Sequence, residues 1–201
     1  MVVKNLFYCY NVNYKNKRIE RVVIMHLYVV RHGTTDNNVN HLVNGRNDID
    51  LNEQGIKEAG RVSLALKDIK FDMVYCSPLL RAKHTMQIIN CNNLPVTYDE
   101  RIIERDAGVM TNRPESEIDF KIWNRLDIGV IYGGSESFKE VLNRVSSFID
   151  ELKKKHENDT VLVVAHAGVM KAMEIHIFGD PGIEIMEEWT YPNCTVKEYI
   201  L

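Results

Sequence analysis

No stretch of this 201-residue sequence approaches the roughly 20 consecutive apolar residues that a membrane-spanning helix needs. Lys4 stands near the start, but the apolar stretch around it breaks at the polar, turn-like positions 11–18. A signal-peptide hydrophobic region is therefore missing, and a cytoplasmic location is expected. The four cysteines, Cys9, Cys76, Cys91 and Cys194, lie far apart without C-x-x-C or zinc-finger spacing. That argues against a disulfide framework and for free thiols in a reducing compartment. A large excess of charge of one sign is missing too: the net charge is −3 and the pI about 6.2, which speaks against a nucleic-acid surface built on bulk charge. Internal repeats, low-complexity segments, G-x-G-x-x-G and the Walker loop are all missing, so no nucleotide fingerprint is available. What remains is an ordinary globular composition, 45% hydrophobic and 26% charged, with enough apolar residues for a sizeable core.

Within that composition, strand and helix patterns alternate. Apolar runs at 27–30, 71–76, 94–98 and 161–165 read as short buried strands, and 195–201 alternates weakly as a closing strand. Helices are expected over 51–66 with Asn52 as cap, with Ile56, Ala59, Val62, Leu66 and Ile69 at helical spacing. Others are expected over 79–90 after Ser77 as cap and Pro78, over 115–126, over 137–155 and over 169–178, the last broken by Gly179-Asp-Pro-Gly182. Positions 36–50 read as a polar loop. The alternation predicts an α/β fold, a three-layer α/β/α sandwich around a mostly parallel sheet. Met25 opens the first convincing core strand, so positions 25–201 are expected to form one domain. Positions 1–24 are then an N-terminal extension without a catalytic part, in which 1–10 can pair as an edge strand.

Ligands in open α/β sheets sit beyond the carboxyl ends of the strands. Arg31 and His32 follow the first strand, Arg81 lies in the helix turn after the second, and His166 follows the fourth. Two arginines and two histidines converging there make a compact positive pocket suited to a phosphoryl group. Arginine supplies fixed bidentate donors, while histidine serves as nucleophile or stabilises negative charge.

Several motifs carry a family resemblance. Arg31-His32-Gly33-x-Thr35-x-x-Asn38 resembles the RHGxTxxN signature of the histidine phosphatase superfamily, the phosphoglycerate-mutase-like family. Asn44-Gly45-Arg46 with Asp50-Leu51-Asn52-x-x-Gly55 is similar to the segment that follows it. Ser77-Pro78-Leu-Leu-Arg81-Ala82-x-x-Thr85, Gly134-Ser-Glu-Ser137 ahead of a helix with Arg144, and Ala165-His166-Ala-Gly168 resemble the remaining motifs in order. The resemblance implies attack by His32 on phosphorus, with Arg31, Arg81 and His166 holding the phosphoryl oxygens. Asn38, Thr35 and Gly45 belong to the same substrate-binding set, with Thr35 making a local bond that holds the loop. Glu104, in Arg101-Ile-Ile-Glu104-x-x-x-Gly108, matches the general acid, and Asp106 is an alternative. No metal or other cofactor is implied.

Three departures stand out: Thr34 where many members have Glu, Glu58-Ala59 for a common Gln-Ala, and Arg105-Asp106-Ala107 after the acid. The 84 residues at positions 82–165 leave little room for the insertion usual in the mutases, which favours hydrolysis. The expected activity is that of a phosphomonoester hydrolase acting on a small phosphorylated metabolite, α-ribazole 5′-phosphate being one candidate. A phosphoglycerate mutase or a catalytically reduced binding module is the alternative. Trp123, Tyr132 and Met110 are candidates for an apolar wall, and the chain is expected as monomer or homodimer.

Overall fold

The computed structural model describes residues 3–4 and 24–201. The expectations for positions 11–18, and for the rest of the 1–24 extension apart from 3–4 and 24, lie outside the described residues. In chain order the elements are β1 (Val3–Lys4), β2 (His26–Arg31), α1 (Asp36–Val39), α2 (Glu53–Leu66), β3 (Met73–Cys76), α3 (Leu80–Ile89) and β4 (Val96–Tyr98). They continue with α4 (Phe120–Trp123), α5 (Phe138–Lys155), β5 (Thr160–Ala165), α6 (Ala167–Phe178), α7 (Ile183–Glu188) and β6 (Val196–Ile200).

The strands form one sheet in the order β1-β6-β2-β5-β3-β4. All pairings are parallel except β2 with β6, which brings the closing strand back antiparallel beside the first core strand. The three-layer sandwich expected from the alternation is the fold found. Because successive side chains of a strand face opposite ways, Leu27, Val29, Val161 and Val163 pack against α5 and α6, where Val145, Phe148, Met170 and Met173 meet them. Tyr28, Val30, Leu162 and Val164 pack on the other face against Ala59, Val62 and Leu66 of α2 and Met86 of α3. Burial on both faces explains why the two central strands read as continuous apolar runs.

Several local expectations are corrected. The helix over 115–126 breaks into a 3₁₀ turn at Glu115–Glu117 and the single-turn α4, because Ile118 is extended and the Asp119 side chain caps Lys121 and Ile122. Ile56 is exposed; the turn of α2 instead buries Gly55, on which a Cβ would sit 2.2 Å from the Thr34 carbonyl oxygen. The 36–50 loop contains α1, capped by Thr35 and Asn38 in a reciprocal capping box. Strands β3 and β4 are shorter than expected, and α6 begins at Ala167, directly after His166. After the break between Gly179 and Gly182, both at positive φ, α7 forms in a stretch to which the sequence pattern assigned no element. Cys76, Cys91 and Cys194 are free thiols.

Candidate active site

The carboxyl ends of β2, β3 and β5 are neighbours, so the loops leaving them are too. Register pairs Arg31 with Ala165 and Cys76 with Val164, which sets His32, Ser77 and His166 side by side. The His32 and His166 ring centres lie 5.1 Å apart, and both side chains are buried. The Nδ1 of His32 bonds the Gly33 carbonyl at 2.8 Å, which assigns its proton to that nitrogen and the lone pair to Nε2. Arg81 donates from Nε to that lone pair at 3.2 Å, and its two amino groups reach the carbonyls of Asn47 (2.7 Å) and Gly45 (2.8 Å). Burial, together with the Arg81 and Arg31 charges, drives the His32 pKa well below its ordinary value. His166 is driven the same way by the same causes. Burial also lowers the arginines, Arg81 to about 10, with Glu104 opposing the shift in both Arg81 and Arg31. Both remain cations at neutral pH.

A cavity of about 230 Å³ opens in front of these groups, its wall including Arg31, His32, Asn38, Gly45 and Glu104. Arg81 and His166 stand behind that wall, in contact with His32 as described. Arg31 donates to the Tyr191 carbonyl through one amino group, and its buried Nε has no partner. Asn38 accepts at Oδ1 from Thr35 and from the Asn193 amide, which leaves its Nδ2 end for an anion. Thr35 is fully buried, and its hydroxyl is engaged within the capping box rather than in the wall. The Glu104 carboxylate accepts from the Arg105 amide at 2.9 Å. It also lies so close to α6 that a Cβ on Gly168 would stand 2.6 Å from its oxygen. Asp106 is outside the wall, its carboxylate tied to the Gly108 amide and facing Arg46. Two residues of the expected apolar wall, Tyr132 and Met110, pack instead with Trp123 in a small separate cluster. Trp123 alone of the three also lines the cavity, near Phe120 and Trp189.

Four residues drawn into the site escaped the sequence reading. Ser77, expected as a helix cap, is not the N-cap of α3, which is Leu79; its hydroxyl meets His166 Nε2 at 2.7 Å. Asn193 donates to the His32 and Gly33 carbonyls, and Tyr191 lends its own carbonyl to Arg31. Arg105 lines the cavity with its guanidinium centred 3.5 Å over the Trp123 ring, bonded to the carbonyls of Trp123 and Glu136, with Nη2 unpartnered. Tyr191 and Asn193 lie in an irregular segment with no periodic signal. Arg105 was visible only as a departure from a family pattern.

Among the described residues no three His, Cys, Asp or Glu side chains come together as a metal site. No helix among them is long and apolar enough to cross a membrane.

Comparison with known proteins places the chain in a family. The family model described as the histidine phosphatase superfamily (branch 1) matches residues 27–200. The phosphoserine phosphatase 1 of Hydrogenobacter thermophilus is 33% identical over 180 residues, 86% of this chain and 83% of its own length. The adenosylcobalamin/alpha-ribazole phosphatase of Escherichia coli is 29% identical, covering 78% of this chain and 81% of its own. The solved alpha-ribazole phosphatase of Shigella flexneri superposes with a TM-score of 0.73 at 29% identity, covering 86% and 88% of the two chains. The matched span and these likenesses make the chain a member of an enzyme family, the histidine phosphatase superfamily, branch 1.

Proposed function

We propose that the protein hydrolyses a small phosphomonoester through a phosphohistidine on His32. The observation that carries this reading is the His32 tautomer: Nδ1–H bound to Gly33, and a lone pair on Nε2 at the wall of a cavity that also holds Glu104. The substrate phosphoryl group binds against Arg31 and Asn38. As it arrives, Arg81 turns its Nε donor from His32 to a phosphoryl oxygen and frees the nucleophile. Nε2 bonds to phosphorus, the ester P–O bond breaks, and the leaving oxygen takes a proton from Glu104. The Glu104 carboxylate then removes a proton from water, which attacks the phosphohistidine and releases inorganic phosphate. Arginine and histidine donors offset the developing charge, and the residues of this site ask for no metal.

The test is hydrolysis of p-nitrophenyl phosphate with and without chelator, alongside His32→Ala. Chelator-resistant activity that falls at least ~10³-fold in the variant is expected, since loss of a nucleophile removes the covalent route. Activity that is lost to chelator and survives loss of His32 refutes the mechanism.

For the leaving group, α-ribazole 5′-phosphate suits the aromatic side of the wall formed by Phe120, Trp123 and Trp189. Arg105 favours a second reading. It is a buried cation with one free donor and, among the described residues, no carboxylate in bonding range, a costly arrangement until an anion meets it. A cavity of about 230 Å³ also falls below the ~300–1,000 Å³ typical of sites for larger ligands. A compact phosphomonoester bearing a carboxylate, such as phosphoserine, fits both observations. Phosphoserine is then expected to exceed phosphoethanolamine, which lacks only the carboxylate, at least ~10-fold in kcat/KM, and Arg105→Gln to shrink that ratio. A ratio near one in the wild type, with α-ribazole 5′-phosphate preferred, decides for the first reading.

A further inference from the structure

Ser77 and His166 end adjacent strands, and neither side chain is exposed to solvent. The Ser77 amide bonds the Val164 carbonyl at 3.0 Å, which fixes the serine backbone against β5 two residues before His166. Its hydroxyl has two neighbours: His166 Nε2 at 2.7 Å and the Leu79 amide, which donates to it at 3.4 Å. His166 Nδ1 is buried and has no partner.

A serine hydroxyl carries one proton to donate and two sites that accept. Leu79 occupies an accepting site. If His166 carried its proton on Nε2 and donated it to Ser77, the serine proton would have no acceptor, because its remaining contacts are donors. The Nδ1 lone pair would also be buried unpaired, so two polar groups would be left unmet. If Ser77 donates to Nε2 instead, the serine is satisfied on both sides and a single group is left over, the Nδ1–H of His166. A charged imidazolium would repeat the orphaned serine proton and add a buried cation beside two arginines, which is the environment that pushes the His166 pKa down. Buried polar groups are rarely left unpaired, so hydrogen-bond accounting selects one arrangement.

We propose that Ser77 is a positioning residue that holds His166 neutral, with its proton on Nδ1. The nitrogen without a partner is then a donor, preset for an oxygen of the transferring phosphoryl group, where a lone pair would repel it. This assigns to Ser77 a role in setting the site that a helix cap would not have, and it rests on the phosphatase reading above for the identity of the oxygen. Its logic parallels that of His32 with opposite nitrogens. At His32 the Gly33 carbonyl takes Nδ1–H and leaves a lone pair at Nε2; at His166 the Ser77 hydroxyl fills the Nε2 lone pair and leaves Nδ1–H.

The experiment is long-range proton–nitrogen NMR on the uniformly labelled full chain at pH 7.5, free and with inorganic phosphate, with the His166 signals assigned by their loss in His166→Asn. A pyrrole-type Nδ1 and a pyridine-type Nε2 are expected in both states. A pyrrole-type Nε2, whether in the other tautomer or in the imidazolium, overturns the proposal. Ser77→Ala is expected to show an Nε2-protonated population and to lower kcat/KM for p-nitrophenyl phosphate ~10–100-fold, less than outright loss of a transition-state donor. Ser77→Cys, which keeps a weaker donor, is expected to recover part of that loss. A Ser77→Ala protein with an unchanged tautomer and unchanged kcat/KM overturns the proposal as well. The wild-type tautomer is read without turnover, so an inactive protein with Nδ1 protonated would sink the phosphatase reading and leave the Ser77 assignment standing.

Discussion

His32 and His166 hold their imidazoles neutral by burial next to cations, and the protein loses stability for it in acid. Their folded pKa values lie well below 6.5, whereas an unfolded histidine titrates near 6.5. Between those limits the unfolded chain binds protons that the folded one refuses, so stability is complete above about pH 6.5 and falls as pH drops below it. Two such groups give a slope approaching ~2.7 kcal/mol per pH unit. Urea denaturation from pH 7.5 to 5 measures it, and His166→Asn is expected to remove about half; an unchanged slope in that variant would disprove the linkage. At this scale the sequence was most informative. The strand ends bearing Arg31-His32 and His166 were readable because each polar group sits at the abrupt end of an apolar run. What could not be read was which atom of each side chain is spent on the protein and which is left over. Thr35, Arg81 and Ser77 are all engaged by partners more than a few positions away or by a loop geometry that spacing does not encode.

Among the elements, the segment carrying Glu104 has no regular structure of its own and is held from outside. Arg144 on α5 pairs with both oxygens of Glu136 at 2.7 and 3.0 Å and donates to the carbonyls of Arg101 and Ile103, each at 2.7 Å. Arg46 adds bonds to the Glu104 carbonyl and to Glu136. Arg144→Ala leaves two carbonyls unmet and Glu136 with Arg46 as its remaining cation. It is expected to cost ~2–4 kcal/mol of stability and to lower kcat more than it raises KM, since Glu104 shifts while Arg31 and His32 do not. Thermal unfolding and steady-state kinetics on one preparation measure both; a stability loss with intact kcat would show the brace to be structural alone. The long amphipathic helix bearing Arg144 was legible in its periodicity, and so were the two central strands. The 99–136 stretch was not. Its backbone is organised by side chains such as Asp119, Glu136 and Arg144 reaching carbonyls and amides, and such bonds leave no period in a sequence.

For the molecule as a whole, the site joins the ends of β2, β3 and β5 with the 36–47 loop, the 104–107 segment and the approach to β6. An anion bound there touches groups brought together only by the complete fold, so it binds the folded form alone. Orthovanadate or inorganic phosphate at 100 times its dissociation constant is expected to add ~2.7 kcal/mol of stability and to raise the melting temperature. His32→Ala and Arg31→Ala should blunt the shift, and a shift of the same size in both variants would place the anion elsewhere. The fold class followed from alternating apolar strands and amphipathic helices, whereas the strand order is a property of the folded sheet. The placement of α1 and α7 did not follow, because helices of four and six residues carry too few positions for a periodic pattern.

Strand β6 comes last among the described elements, yet it lies inside the sheet, between β1 and β2. Just before it, Asn193 and the Cys194 amide donate to the carbonyls of Arg31, His32 and Gly33, and Tyr191 receives Arg31. Residues about 160 positions apart in the sequence therefore close the nucleophile loop together. During synthesis the chain will have displayed both histidines, both arginines and Glu104 before the part that seats them has left the ribosome. A growing chain is thus expected to stay silent toward phosphoesters until β6 is free to dock.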